Sequence, residues 1–93
     1  MYATVRSYTD PSLAAALAVR GDEIRAVIGE VPGFRAYYLV EASSGTVSVT
    51  VCDDQAGAEE SNRVAADWPK RNMPELGTGA APTVSAGPVV LDA

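Results

Sequence analysis

Histidine is absent from this chain, and cysteine occurs once, at Cys52, among 93 residues. These two scarcities exclude a good deal of chemistry. One thiol forms no internal disulfide framework, a Cys-His nucleophile has no base, and zinc or haem held by their usual protein ligands are not expected. The purified protein is accordingly expected to be colourless and to carry no metal or other cofactor. Basic residues are also few, seven Lys and Arg against twelve Asp and Glu, for a net charge of −5 and a pI near 4.4. They are scattered, with Lys70-Arg71 the only adjacent pair, so no phosphate-binding surface is expected and nucleic acid is not an expected partner. No stretch approaches the roughly 18 apolar residues that a membrane helix needs, and the N-terminus has no basic region followed by an apolar run. The expectation is a cytoplasmic protein without a membrane partner. The length suits one domain over residues 1–93, and so short a chain buries only a moderate share of its surface, which makes oligomerisation an attractive source of stability.

What the sequence does have is a hairpin. Pro32-Gly33 is a turn dipeptide, Phe34 to Glu41 and Thr46 to Cys52 are rich in aromatic and β-branched residues, and Ser43-Ser44-Gly45 reverses the chain between them. Register decides which side chains share a face, because a slip of one residue exchanges the two sides. Pairing Glu41 with Thr46 across a four-residue loop puts Phe34, Ala36, Tyr38 and Val40 with Val47, Val49 and Val51 on a wholly apolar face. The opposite face then carries Arg35, Tyr37, Leu39, Ser48, Thr50 and Cys52, a set suited to lining a pocket. The alternative, pairing Ala42 with Thr46, strands Glu41 beside the valines, so the first register is preferred.

Tyr2 to Tyr8 alternates as a strand, with Tyr2, Thr4, Arg6 and Tyr8 on one side. Asp10 is placed as a helix N-cap with Pro11 at the first helical position. A helix to about Glu30 follows, on an apolar stripe of Leu13, Leu17, Ile24, Val27, Ile28 and Val31, with Gly21 as a potential kink. After the hairpin, Asp53-Asp54 makes an acidic turn that complements the start of a second helix, from about Ala58 to Arg71. That helix has a thinner stripe of Ser61, Val64, Ala65 and Trp68, is bent or interrupted at Pro69, and is closed by Pro74. Gly77 to Pro82 is linker-like, and a last strand lies within Thr83 to Leu91, with Gly87-Pro88 as a bulge or edge feature. The order β-α-β-β-α-β is that of an α+β, ferredoxin-like fold, a four-stranded antiparallel sheet with both helices on one face. The uncovered face is assigned Tyr2, Arg6, Tyr8, Tyr37 and Leu39, a semi-apolar patch that a partner would hide.

The N-terminal strand, the helix leading into Val31-Pro32-Gly33-Phe34, the paired strands ending in Asp53-Asp54 and the second helix together resemble the antibiotic biosynthesis monooxygenase-like domain of the dimeric α/β-barrel superfamily. The resemblance implies a homodimer whose sheets pack face to face, each subunit enclosing a cavity between its sheet and helices. It also implies oxidation of aromatic, quinol- or polyketide-like substrates by dioxygen without metal or flavin. A haem-degrading branch of the family uses a histidine on a helix, and this chain has none to offer. For the cofactor-free branch the resemblance implies an Asn and a Trp associated with the second helix, here Asn62 and Trp68. Six residues apart, they stand about 240° apart around a helix and so do not automatically share a face.

Oxygenation without a cofactor requires a substrate that can be deprotonated to an electron-rich anion, which the protein binds and stabilises. Arg6 or Arg35 could stabilise a phenolate, Asn62 could hydrogen-bond a developing oxyanion, and Trp68 could stack on an aromatic ring. Arg6, Tyr8, Tyr37 and Thr50 are the expected ligand-binding residues, in a cavity between the sheet and the second helix. Each also has an ordinary reading: Trp68 as a core anchor, Asn62 as surface, Tyr8 and Tyr37 as filling for a dimer core, Cys52 as a small buried thiol, and Asp53-Asp54 as helix-capping acids rather than a cation site. Two other functional classes share the fold. Tyr8-Thr9-Asp10-Pro11-Ser12-Leu13 resembles the first turn of ACT-type ligand-sensing domains, with Ser12 where a glycine is expected, and a purely accessory dimer would need no site at all.

Overall fold

The computed structural model describes residues 1–74 and 82–93. Apart from Pro82, the linker-like stretch from Gly77 lies outside the described residues. Strand β1 (Tyr2–Tyr8) leads into α1 (Ser12–Ala18) and α2 (Gly21–Ile28). The hairpin β2 (Phe34–Ala42) and β3 (Gly45–Cys52) follows, then α3 (Gln55–Asn72) and β4 (Thr83–Pro88). The sheet runs β2-β3-β1-β4 with every neighbouring pair antiparallel, so the ferredoxin-like order expected from the sequence is the one observed.

The expected single first helix is two, because the chain breaks at Val19–Arg20, one residue before Gly21, where a glycine weakens helical continuity. Both pieces keep the predicted stripe, with Leu17 and Ile28 buried, and Val31, just beyond α2, is buried beside them. Asp10 sits one position too early to be the N-cap. Pro11 holds that place, and the Asp10 carboxylate accepts from the Ser12 backbone N–H at 2.9 Å and from the Ser12 hydroxyl at 2.6 Å. Asp54 does cap α3, accepting from the Gly57 N–H at 3.0 Å. Pro69 does not end that helix. It lies inside it, and the helix continues to Asn72 despite the one N–H that proline removes. At the other edge, β4 pairs in regular register with β1, and Gly87 faces Ala3 without a bulge.

In the hairpin Glu41 pairs with Thr46, as preferred, but Ala42 also pairs with Gly45, leaving a two-residue reversal at Ser43-Ser44. A register shift between Phe34 and Ala36 then moves Phe34 opposite Cys52 and off the valine face, and Arg35 turns outward to pair with Asp53. Glycine is needed at two places here. Gly33 adopts φ 76°, and a Cβ on Gly45 would lie 2.0 Å from the Tyr8 carbonyl oxygen where β3 passes the end of β1. Gly45→Ala is therefore expected to cost about 3 kcal/mol, read from the urea midpoint. An unchanged midpoint would show that the strand end moves aside freely.

All three helices cover one face, the one carrying Arg6 and Tyr37, which the sequence reading assigned both to the uncovered side and to the cavity under the second helix. Thr46 receives the Ala14 N–H of α1 at 2.9 Å, Cys52 packs with Ile28 and Val31, and Arg6 bonds to Asn62 of α3. Tyr2, Arg6, Tyr8, Tyr37 and Leu39 thus lie beneath the helices, since they share a face with Thr46, Ser48, Thr50 and Cys52. The uncovered face is the apolar one, with Val5, Val47, Val49 and Val51 partly exposed, and Tyr38 and Val40 at 59% and 45% exposure. The sequence argument gave the patch to the wrong side. Helices here bury a polar-aromatic surface whose hydroxyls bond to Arg6, Asn62 and the backbone, and leave the valines without cover.

Candidate functional site

The helix-covered side has two parts. Near the Pro32 turn, Ile28, Val31 and Cys52 form an ordinary apolar core with Phe34, Tyr37 and Val64 around it. Towards the middle of the sheet the buried side chains are polar: Arg6 is 2% exposed, Ser48 3%, and Thr4, Thr50 and Ser61 are fully buried. Alternation produces this set. Thr4 faces Thr50, Arg6 faces Ser48 and Tyr37 faces Thr50, so β1, β2 and β3 deliver hydroxyls and one cation to a single patch beneath α3.

The Arg6 guanidinium organises the patch. Its Nε donates to Ser48 Oγ at 2.9 Å, one terminal nitrogen to Thr50 Oγ1 at 2.7 Å, and the other to Asn62 Oδ1 at 2.5 Å. Thr4 Oγ1 donates to the same Asn62 oxygen at 3.0 Å. Every one of these partners is neutral, and among the described residues no carboxylate pairs with Arg6. Burial accordingly lowers the pKa of Arg6 from its ordinary value, an effect opposed by Tyr8 and Tyr37, whose hydroxyls flank the guanidinium. A buried cation without a counter-ion is costly, and the hydroxyl cage recovers only part of that cost.

Burial raises the Tyr8 and Tyr37 phenols above their ordinary 10.0, and Arg6 partly offsets the rise in both. In the unfolded chain these phenols ionise near pH 10, while in the folded chain they hold their protons to higher pH. The folded state then binds more protons, so this contribution to stability is complete below pH 10 and is lost as pH rises through the folded values. The denaturant midpoint is expected to fall from about pH 9.5 upward, less steeply in Tyr37→Phe than in the parent. A flat alkaline profile would mean that both hydroxyls reach water.

The sequence-derived candidates therefore separate. Arg6, Thr50 and Asn62 are joined by hydrogen bonds, and Tyr8 and Tyr37 border Arg6. Asn62, whose ordinary reading was surface, points to the sheet. Trp68 does not join them. It lies on the seam between α2 and α3, lining a groove of about 540 Å³ with Val27, Val31 and Val64, and the Arg20 guanidinium sits 5.1 Å from its ring centroid. Arg20 also donates to the Asn72 carbonyl at 2.6 Å, tying the α1–α2 break to the end of α3. The separation of Asn62 and Trp68 follows from their angular offset on α3, and Trp68 fluorescence reports on the groove rather than on Arg6. Arg35 is at the surface with Asp53. Burial pushes the Cys52 thiol up, the opposite of an activated nucleophile. Among the described residues no group of three His, Cys, Asp or Glu is placed to hold a metal, and no helix is long and apolar enough to cross a membrane. The sequence reading put Thr4 on the face of Arg6 and Ser48 on the pocket-lining face of the hairpin, but did not count either among the ligand-binding residues.

Fold and site together define a ferredoxin-like α+β domain with a caged arginine between its sheet and last helix. No family model matches the chain, and no curated protein does. Among solved structures it is similar to a protein of unknown function from Nitrosomonas europaea, with 19% identity, a TM-score of 0.69, and coverage of 99% of this chain and 90% of that one. It is also similar to a heme-degrading protein from Mycobacterium tuberculosis, with 20% identity, a TM-score of 0.59, and coverage of 99% and 96%. A cofactor-independent oxygenase from Streptomyces nogalater resembles it more loosely, at 16% identity, 92% and 85% coverage and a TM-score of 0.48. The chain has the fold of the antibiotic biosynthesis monooxygenase-like domains, and the likeness is one of fold.

Proposed function

We propose that the chain is one subunit of a cytoplasmic homodimeric α/β barrel that binds a small acidic aromatic compound, quinol- or polyketide-like, beneath α3. It holds that compound as its anion for reaction with dioxygen, without metal, flavin or heme. The observation that carries the reading is Arg6, a buried guanidinium whose hydrogen-bond partners are all neutral. A cation kept in that state favours any ligand that brings the missing negative charge, and the bordering Tyr8 and Tyr37 supply aromatic walls and hydroxyls. In such a reaction a methylene activated by a neighbouring phenol gives up two hydrogens and gains one oxygen atom. The second oxygen leaves as water, and the substrate supplies all the electrons.

Heme does not fit these residues. The chain has no histidine, Cys52 is fully buried, and Tyr8 and Tyr37 are held in the neutral form, so no axial ligand is ready. The uncovered valine face supports the dimer, since a contiguous apolar sheet surface is ordinarily hidden by a partner. The ligand-sensing alternative draws no support from the β1–α1 turn, because Ser12 already occupies the Asp10 carboxylate.

The test uses 2-hydroxy-1,4-naphthoquinone, a stable acidic enol, as a binding probe, and electron-rich phenols and quinols as substrates in an oxygen electrode with labelled dioxygen. Saturable binding and one labelled oxygen per product are expected. Neither binding nor saturable uptake with any of them would leave the accessory dimer as the better reading.

A further inference from the structure

Helix α3 is anchored unevenly. Its first two turns are fixed: Asp54 caps them, Gly57, Ala58 and Ser61 are buried, and a Cβ on Gly57 would lie 2.5 Å from the Pro32 carbonyl oxygen, so helix and turn meet backbone to backbone. From Asn62 to Asn72 no residue of the helix is buried. Val64 reaches the Cys52 core only as a partly buried neighbour, Asn62 ties the stretch to Arg6 and Thr4, and Pro69 removes one helical N–H. At the far end two groups hold it. Met73, the next residue, is buried, and Arg20 at the α1–α2 break donates to the Asn72 carbonyl at 2.6 Å, lies over the Trp68 ring and is itself paired with Glu23. Segments with so little buried apolar surface open at a lower free energy than the fold as a whole.

We infer that the stretch of α3 from Asn62 to Asn72 is a strap that lifts to admit a ligand to Arg6, and that Arg20 is the catch that holds it shut. The inference rests on the proposed binding beneath α3 and assigns the gate of that site. The Arg6 guanidinium is 2% exposed, so a ligand meets it only after something moves. Strands β1 and β3 are each paired on both sides, whereas this part of α3 is held at its two ends. Arg20 belongs to the α1–α2 break rather than to the sheet, so releasing it frees the end of α3 and leaves the hydrogen bonds of Arg6 intact. Because the strap lifts both to admit and to release a ligand, the catch governs rates more than affinity.

Backbone hydrogen exchange and stopped-flow binding of 2-hydroxy-1,4-naphthoquinone, on the whole chain and on its Arg20→Met variant, test this. In the variant, amide exchange from Arg63 to Asn72 is expected to speed about tenfold, the effect of losing one hydrogen bond from a charged donor, while exchange in β1 and β3 holds. Association and dissociation of the probe should both quicken about tenfold, with Kd changed by less than about twofold. Exchange that speeds equally through the sheet overturns the strap, because Arg20 is then a general stabiliser. Exchange that speeds at Asn72 and Met73 alone also overturns it, since only the last turn is then fastened. Unchanged binding rates, or a weaker Kd at an unchanged association rate, overturn the gate while the anion-binding reading stands. No binding to the parent protein overturns the functional reading and the gate with it.

Discussion

Arg6→Met is expected to yield a folded protein whose affinity for 2-hydroxy-1,4-naphthoquinone is lower by about a hundredfold, the scale of a charge-assisted hydrogen bond made in a desolvated site. The parent protein keeps a guanidinium 2% exposed with only hydroxyls and one amide around it. An isolated buried ion opposes folding, and an apolar side chain of similar length avoids that cost, so the denaturation midpoint should hold or rise. Ser48 and Thr50 can turn their hydroxyls elsewhere, and Asn62 Oδ1 keeps its bond from Thr4. Calorimetric titration and urea melting, done on the same variant, read the two effects apart. If Arg6→Met binds as the parent does, the cation has no part in recognition. If it fails to fold, Arg6 is a structural hub between sheet and α3, and the cage exists to hold α3 down.

Val49→Asp is expected to convert the proposed dimer into a folded monomer. Val49 lies on β3, paired with Val5 on one side and Tyr38 on the other, at the centre of the uncovered face. A carboxylate there meets water in the monomer, but in a face-to-face dimer it is buried without a partner, at a cost on the order of 3 kcal/mol or more, a weakening of over a hundredfold. Leu39→Asp is the informative contrast. Leu39 pairs with Ser48 on the helix-covered face, so its substitution should lower the thermal midpoint rather than the sedimentation mass. A parent protein that sediments as a monomer at micromolar concentration would remove the barrel from the proposal, and a Val49→Asp variant that stays dimeric would move the interface to another surface.

Sequence reasoning reached the strands, the pairing of Glu41 with Thr46 and the order of elements because these depend on local chemistry. β-branched alternation, a Pro-Gly turn and an acidic cap are written within a few residues of where they act. The same alternation put Arg6, Tyr8, Tyr37 and Thr50 on one face. It could not say which face the helices would cover. Both faces were rich in apolar or aromatic groups, and apolarity alone favoured putting the valines inside. What the sequence did not reveal was that Ser48, Thr50 and Asn62 accept from Arg6 and that Thr4 donates to Asn62, which makes a polar surface acceptable beneath a helix.

Composition and periodicity by themselves determined the α+β class and the absence of histidine ligands, because those follow from residue counts and from period-two and period-3.6 patterning. The bulge that moved Phe34 and Arg35, the break at Val19–Arg20 and the parting of Trp68 from Asn62 were decided only by the tertiary structure. Each depends on where distant segments meet. Arg35 turns outward because Asp53, eighteen residues on, is there to pair with it, and Trp68 faces α2 because Asn62 on the same helix is drawn to Arg6 across fifty-six residues of chain.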